Sequence, residues 1–128
     1  MILDSTFVND LVHSDPEALD VLDELIDSRT PIAMSPLTVF EVGVGLRGAA
    51  SAKRDRFNDM VEDIDVLLLD LPAARRAWEI QRTLMNRGER IGAVDVLIAG
   101  TAAVHERAVL TRNVGEFRRV DEITVKDY

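Results

Sequence analysis

Apolar residues recur along this chain in two rhythms. Short apolar runs at Met1 to Leu3, Pro31 to Met34, Asp65 to Leu69, Val109 to Thr111 and Ile123 to Val125 are too brief for helices and predict five strands. The unbroken Val66, Leu67, Leu68 and Leu69 predict a third strand buried on both faces. Between the strands the spacing is helical. A first helix is expected from about Thr6 to Val12, and Asp15 followed by Pro16 then reads as an N-cap and first helical position. Leu19, Leu22, Leu25 and Ile26 carry that second helix's apolar stripe to about Ser28. Ser35-Pro36 repeats the signal for a helix to about Arg47, and another helix ends over Phe57 to Asp63. Asp70 and Pro72 open a long helix that Gly88 closes. The segment Ala93 to Glu106 is apolar nearly all round, which assigns it to the middle of a domain. A turn or short helix surrounds Gly115 to Phe117. Phe7, Phe40, Phe57 and Trp78 lie within helical patterns and are assigned to the core. Strands alternating with helices imply an α/β fold: a three-layer sandwich with a short, mostly parallel five-stranded sheet, one domain over residues 1 to 128.

Composition narrows the chemistry. The 128 residues contain no cysteine, which removes disulfides, thiolate metal sites and a Cys nucleophile together. Metal binding would have to use oxygen ligands or the two histidines. No apolar run reaches the roughly 18 to 20 residues that span a bilayer, and Met-Ile-Leu-Asp lacks a signal-peptide layout, so the expected location is cytoplasmic with no membrane partner. Net charge is -8, which on its face argues against a polyanion partner. The charge is uneven, however. Residues 1 to 70 carry 15 acids and 5 bases, whereas residues 71 to 128 carry 8 acids and 10 bases. A basic strip in the second half therefore remains open.

Three carboxylates sit in apolar surroundings. Asp4 follows Ile2 and Leu3 at the carboxyl end of the first strand, where open α/β sheets place their ligands, although a helix cap is the alternative role. Glu41 lies mid-helix beside Leu37, Val44, Gly45 and Gly48, which predicts an acid on a buried stripe with space kept open by the glycines; backbone crowding would explain the glycines equally well. Asp95 neighbours Ile98, Ala99 and Ala102 on its helix, and its alternative role is to complement the helix dipole. A buried acid without a partner is costly, so each calls for a cation or a donor network. Oxygen ligands alone point to Mg²⁺ or Mn²⁺. Asn113, just past the fourth strand, would flank the same crevice as Asp4 if the strand order reverses there; otherwise it is a turn residue.

Ile2-Leu3-Asp4-Ser5, the segment from Ser35 to Leu46 with Thr38 and Glu41, and the stretch from Gly92 through Asp95 and Ala99 to Leu110-Thr111-Arg112-Asn113-Val114-Gly115-Glu116-Phe117 together resemble a PIN-domain ribonuclease, most of all the VapC-type toxins of toxin-antitoxin pairs. The resemblance covers essentially the whole chain in order. It implies an endoribonuclease dependent on one or two Mg²⁺ or Mn²⁺ ions, with Asp4, Glu41 and Asp95 at the metal positions and Asn113 where the family often has an acid. It also implies a homodimer and a small antitoxin that occludes the site. Glu116 is expected to act at one remove or to be an exposed loop acid.

The chemistry suits these residues on its own terms. Three carboxylates need at least one divalent ion before an RNA phosphate can approach. Ser5, Arg82, Arg87, Arg90, Thr111 and Arg112 are candidate substrate contacts, since guanidiniums suit phosphates; surface ion pairing is the alternative for the arginines. Two rival readings are a phosphoacceptor receiver domain with Asp70 as acceptor and a catalytically inactive PIN-like binding protein. Abundant Asp with only Lys53 and Lys126 as lysines resembles a surface adapted to high salt, which implies better folding and activity at molar salt.

Overall fold

The computed structural model describes residues 1–128. Five two-residue strands, β1 (Ile2–Leu3), β2 (Ala33–Met34), β3 (Asp65–Val66), β4 (Val109–Leu110) and β5 (Val125–Lys126), form one sheet in the order β3-β2-β1-β4-β5. Every pairing is parallel, with Leu3 opposite both Met34 and Leu110. Seven helices surround it: α1 (Ser5–Val12), α2 (Pro16–Asp27), α3 (Pro36–Gly45), α4 (Ser51–Asp63), α5 (Leu71–Asn86), α6 (Ala93–Val104) and α7 (Val114–Phe117). The proline signals in the sequence mark true helix starts. Asp15 accepts from the Ala18 amide, Ser35 from that of Leu37, and Asp70 from that of Ala73.

Alternation along each strand divides the core into two halves. Ile2 and Val109 pack on one side with α5, α6 and α7, whereas Leu3 and Leu110 pack on the other with α1 to α4. The sheet is thus covered on both faces, the three-layer arrangement expected from the alternating pattern. Helix α6 has buried residues on all sides from Ile98 to Ala102. It can approach α5 closely because Gly100 has no side chain: a Cβ there would lie 2.6 Å from the Ala73 carbonyl oxygen.

Several expectations are corrected. The third strand is limited to Asp65–Val66, and both of its residues are exposed, because β3 is an edge strand and has only β2 beside it. Leu67 turns into the core, while Leu68 is 70% exposed. The fifth strand starts at Val125 rather than Ile123, which packs against the core ahead of it. Phe40 and Trp78, 71% and 66% exposed, are surface residues. Helical spacing placed each on a face, but not on the face that meets the sheet. Phe7 and Phe57 are buried.

Candidate active site

Asp4 stands where the central strand ends. Its amide donates to the Leu110 carbonyl at 3.0 Å, extending the β1–β4 pairing by one residue and fixing the backbone. Although it occupies the N-cap position of α1, its side chain makes no cap hydrogen bond. The carboxylate, 1% exposed, instead accepts from Thr111 Oγ1 at 2.7 Å, Thr6 Oγ1 at 3.3 Å and Ser5 Oγ at 3.5 Å. A hydroxyl has one proton to give and lone pairs left over. Thr111 spends its proton on Asp4 and accepts the Asn113 amide at 2.9 Å; Thr6 does the same and accepts the Arg112 amide at 3.1 Å. The strand-end segment of residues 111 to 113 is thereby tied to Asp4 through two threonines. Ser5 and Thr111, candidate substrate contacts by sequence, are placed as donors to this carboxylate, and Thr6 is a partner that sequence reasoning missed.

Asp95 lies in the first turn of α6 and accepts from Asn113 Nδ2 at 3.1 Å. Its pKa is pushed up to about 8, by burial first, then by the hydrogen bond with Glu116 and by the charges of Asp4, Glu116 and Glu41. A helix N-terminus alone would act in the opposite direction, so burial and the acidic neighbours together outweigh the dipole. Glu116 moves the other way: Asp95 donates to it, the Gly92 amide donates at 3.4 Å and Asn113 also contributes, which holds its pKa below the usual carboxylate value. The opposite shifts mean that a proton shared by this pair favours Asp95 over Glu116. Glu116 thus lies in α7 beside Asp95, at one remove from the other acids, and not in an exposed loop. The signal was its spacing, three residues past Asn113, which becomes a shared helix face once α7 forms.

Glu41 reaches the crevice from α3. It is half-buried and lines a shallow cleft of about 260 Å³ with Ser5, Thr6, Asn9 and Val42. The buried stripe expected around it is absent: Val44 is 60% exposed, and a Cβ on Gly45 or Gly48 would meet nothing within 4 Å. These glycines keep no space for the carboxylate. Four acids from four helices or strand ends thus face one crevice, yet no three acidic or imidazole side chains converge tightly enough to hold an ion alone. Such an all-oxygen set with excess negative charge fits a hard divalent cation that retains water ligands.

The arginines are distributed differently. Arg112 pairs with Asp10 at 3.1 Å, Asp15 at 3.0 Å and Glu17 at 3.2 Å, and Arg87 pairs with Asp121 at 2.9 Å and Glu89 at 3.4 Å. Arg82 lies over the Trp78 ring, 5.8 Å from its centroid. Arg90 is exposed one residue before Ile91, whose backbone is bracketed by the Gln81 amide at 2.6 and 3.3 Å. Of the four, Arg87 and Arg112 already have anionic partners. The receiver reading loses its acceptor, since Asp70 is engaged in capping α5. No helix is long and apolar enough to cross a membrane.

Known proteins place this geometry. Ribonuclease VapC19 of Mycobacterium tuberculosis is 33% identical over 116 residues, covering 91% of this chain and 90% of that protein. The tRNA(fMet)-specific endonuclease VapC of Salmonella typhimurium is 27% identical over 99 residues, 76% of this chain and 75% of its own length. Among solved structures, VapBC2 from Rickettsia felis bound to a promoter DNA fragment superposes with a TM-score of 0.87, over 99% of this chain and 97% of that one; at 18% identity this speaks to the fold. The model of the PIN domain matches residues 1–123, which include all the acids of the crevice and the strand ends that present them, and the chain belongs to the PIN domain family.

Proposed function

We propose that the protein is an endoribonuclease that hydrolyses RNA phosphodiester bonds with the help of Mg²⁺ or Mn²⁺, and that it is the toxin of a toxin-antitoxin pair. The observation that carries this reading is the convergence of Asp4, Glu41, Asp95 and Glu116 on one crevice, where burial first and the neighbouring carboxylates after it push the Asp95 pKa upward. Asp4, Glu41 and Asp95 are the residues that would hold the cation. When bound, it would activate a water molecule and stabilise charge on the phosphate oxygens.

The chain's own residues supply the rest. Thr6 and Thr111 hold the Asp4 carboxylate in place by hydrogen bonds of 3.3 and 2.7 Å. Asn113 orients Asp95 through its side-chain amide and adds no charge, which favours one firmly held ion and a second recruited with substrate. Arg82 and Arg90 remain available for phosphate contacts, whereas the acids around Arg87 and Arg112 compete with any phosphate there. A homodimer and a small antitoxin are the expected protein partners. Phe40 and Val44, exposed one turn apart on α3, offer apolar area for such a contact.

Incubating purified protein with total cellular RNA in Mg²⁺, Mn²⁺ or chelator tests the reading. Discrete internal cuts are expected with either ion and none with chelator. Undiminished cleavage in chelator would overturn the metal-dependent mechanism, and no cleavage under any condition would favour an inactive binding protein.

A further inference from the structure

Residues 111 to 113 contact both principal carboxylates, Thr111 through Asp4 and Asn113 through Asp95. The side chain between them is anchored elsewhere. Arg112 reaches acids at the end of α1 and the start of α2, but these pairs are partly exposed, and such pairs hold a guanidinium loosely and are screened by salt. A hold of a different kind, less sensitive to salt, comes from Tyr128. Its ring lies under the Arg112 guanidinium with 4.5 Å between the guanidinium carbon and the ring centroid, and meets the buried Phe7 edge-on at 4.9 Å. Its hydroxyl donates to Asp10 at 2.7 Å, the same carboxylate oxygen that pairs with Arg112 Nε. Burial and the Asp10 charge push the phenol pKa upward, so the hydroxyl stays a donor.

We propose that Tyr128 is a positioning residue for the cation site: by clamping Arg112 and Asp10 together it holds the backbone of residues 111 to 113, and through Thr111, Thr6 and Asn113 it sets the placement of Asp4 and Asp95. Two routes lead inward from Arg112. Its amide donates to Thr6, which donates to Asp4, and its covalent neighbours bind each acid directly. Arg112 is thus a strut rather than a phosphate ligand, its guanidinium being shared among three carboxylates. The inference rests on the reading of Asp4 and Asp95 as cation ligands.

The test is direct Mn²⁺ binding, followed by the electron paramagnetic resonance of the free ion, in wild-type protein, Tyr128→Ala, Tyr128→Phe and Arg112→Ala, with thermal midpoints recorded on the same samples. Groups that orient a ligand typically change metal affinity by about 10- to 100-fold, and Tyr128 acts one step further out, so Tyr128→Ala and Arg112→Ala are expected to weaken binding about fivefold. Tyr128→Phe keeps the ring under Arg112 but loses the donor to Asp10, so its affinity is expected to fall between wild type and Tyr128→Ala, about twofold below wild type. Because only screened ion pairs remain in Tyr128→Ala, its deficit relative to wild type should widen between about 0.1 M and 0.5 M salt. A purely structural role would lower the thermal midpoint and leave Mn²⁺ affinity unchanged; that result overturns the proposal. If Tyr128→Ala does not fold, wild-type affinity in Arg112→Ala overturns it equally. Wild-type protein that binds no Mn²⁺ overturns the cation reading itself, and this inference with it.

Discussion

Asp95→Asn is expected to lower the rate of RNA cleavage by roughly a thousandfold, the order lost when a group that stabilises transition-state charge is removed, directly or through an ion it holds. The substitution is nearly isosteric, and Asn can still accept from Asn113 and donate to Glu116, so the fold should survive. Stability should move in the opposite direction to activity. In the metal-free protein Asp95 has a folded-state pKa of about 8, raised from the ordinary value of 3.8. The native state therefore binds this proton more tightly than the unfolded chain throughout that window, and wild-type stability falls as pH rises across it. Asn carries no such penalty. At pH 8 without metal the variant should be more stable by about 1 kcal/mol after allowance for solvent screening, and by about 3 °C or more in thermal midpoint, with the two proteins converging near pH 4. Retained cleavage with an unchanged pH profile would remove Asp95 from the site.

Gly100→Ala should have the largest effect on stability. A Cβ at this position would lie 2.6 Å from the Ala73 carbonyl oxygen, 2.7 Å from the Ala77 amide nitrogen and 2.8 Å from the Ala77 Cβ. Two of these atoms belong to the α5 backbone and cannot rotate aside, so α5 and α6 must separate along their packed length. A loss of about 3 kcal/mol is expected, read as a lower midpoint in urea. Gly115→Ala is the control, since a Cβ there meets nothing within 4 Å. Because α6 carries Asp95, the same separation should also weaken Mn²⁺ binding. Equal urea midpoints for the two variants would contradict this packing.

Local signals in the sequence were reliable where the physics is local. Pro16, Pro36 and Pro72, each preceded within two residues by a capping side chain, mark helix starts because cap and ring geometry need no tertiary partner. The apolar surround of α6 foretold its central position. Burial of β3, Phe40 and Trp78 was not legible, since it depends on which strand lies at the edge and which helix face meets the sheet. Asp4 and Asp95 were legible as acids out of place, and the structure brings them to one crevice. Glu41 stood out for a reason that fails, its glycine neighbours being open to solvent. Glu116 was legible only as an acid at one remove or in a loop, and Thr6 escaped notice, because a residue in the first turn of a helix acquires this meaning only when β1 and β4 pair. The ion pairs of Arg112 join residues about a hundred positions apart, and no local pattern anticipates them.

The central claim is that these acids form a cation site whose charge is balanced by a proton until the ion arrives. It is tested most directly by calorimetric titration of Mn²⁺ into metal-free protein at pH 7, in buffers of different ionisation enthalpy. Binding to one tight site is expected, with release of close to one proton, because Asp95 must ionise to accept the ion. The released proton should disappear in Asp95→Asn along with most of the affinity. Two tight sites in the free protein would contradict the single-ion assignment. Absence of binding, or binding with no proton released and no change in Asp95→Asn, would contradict the site.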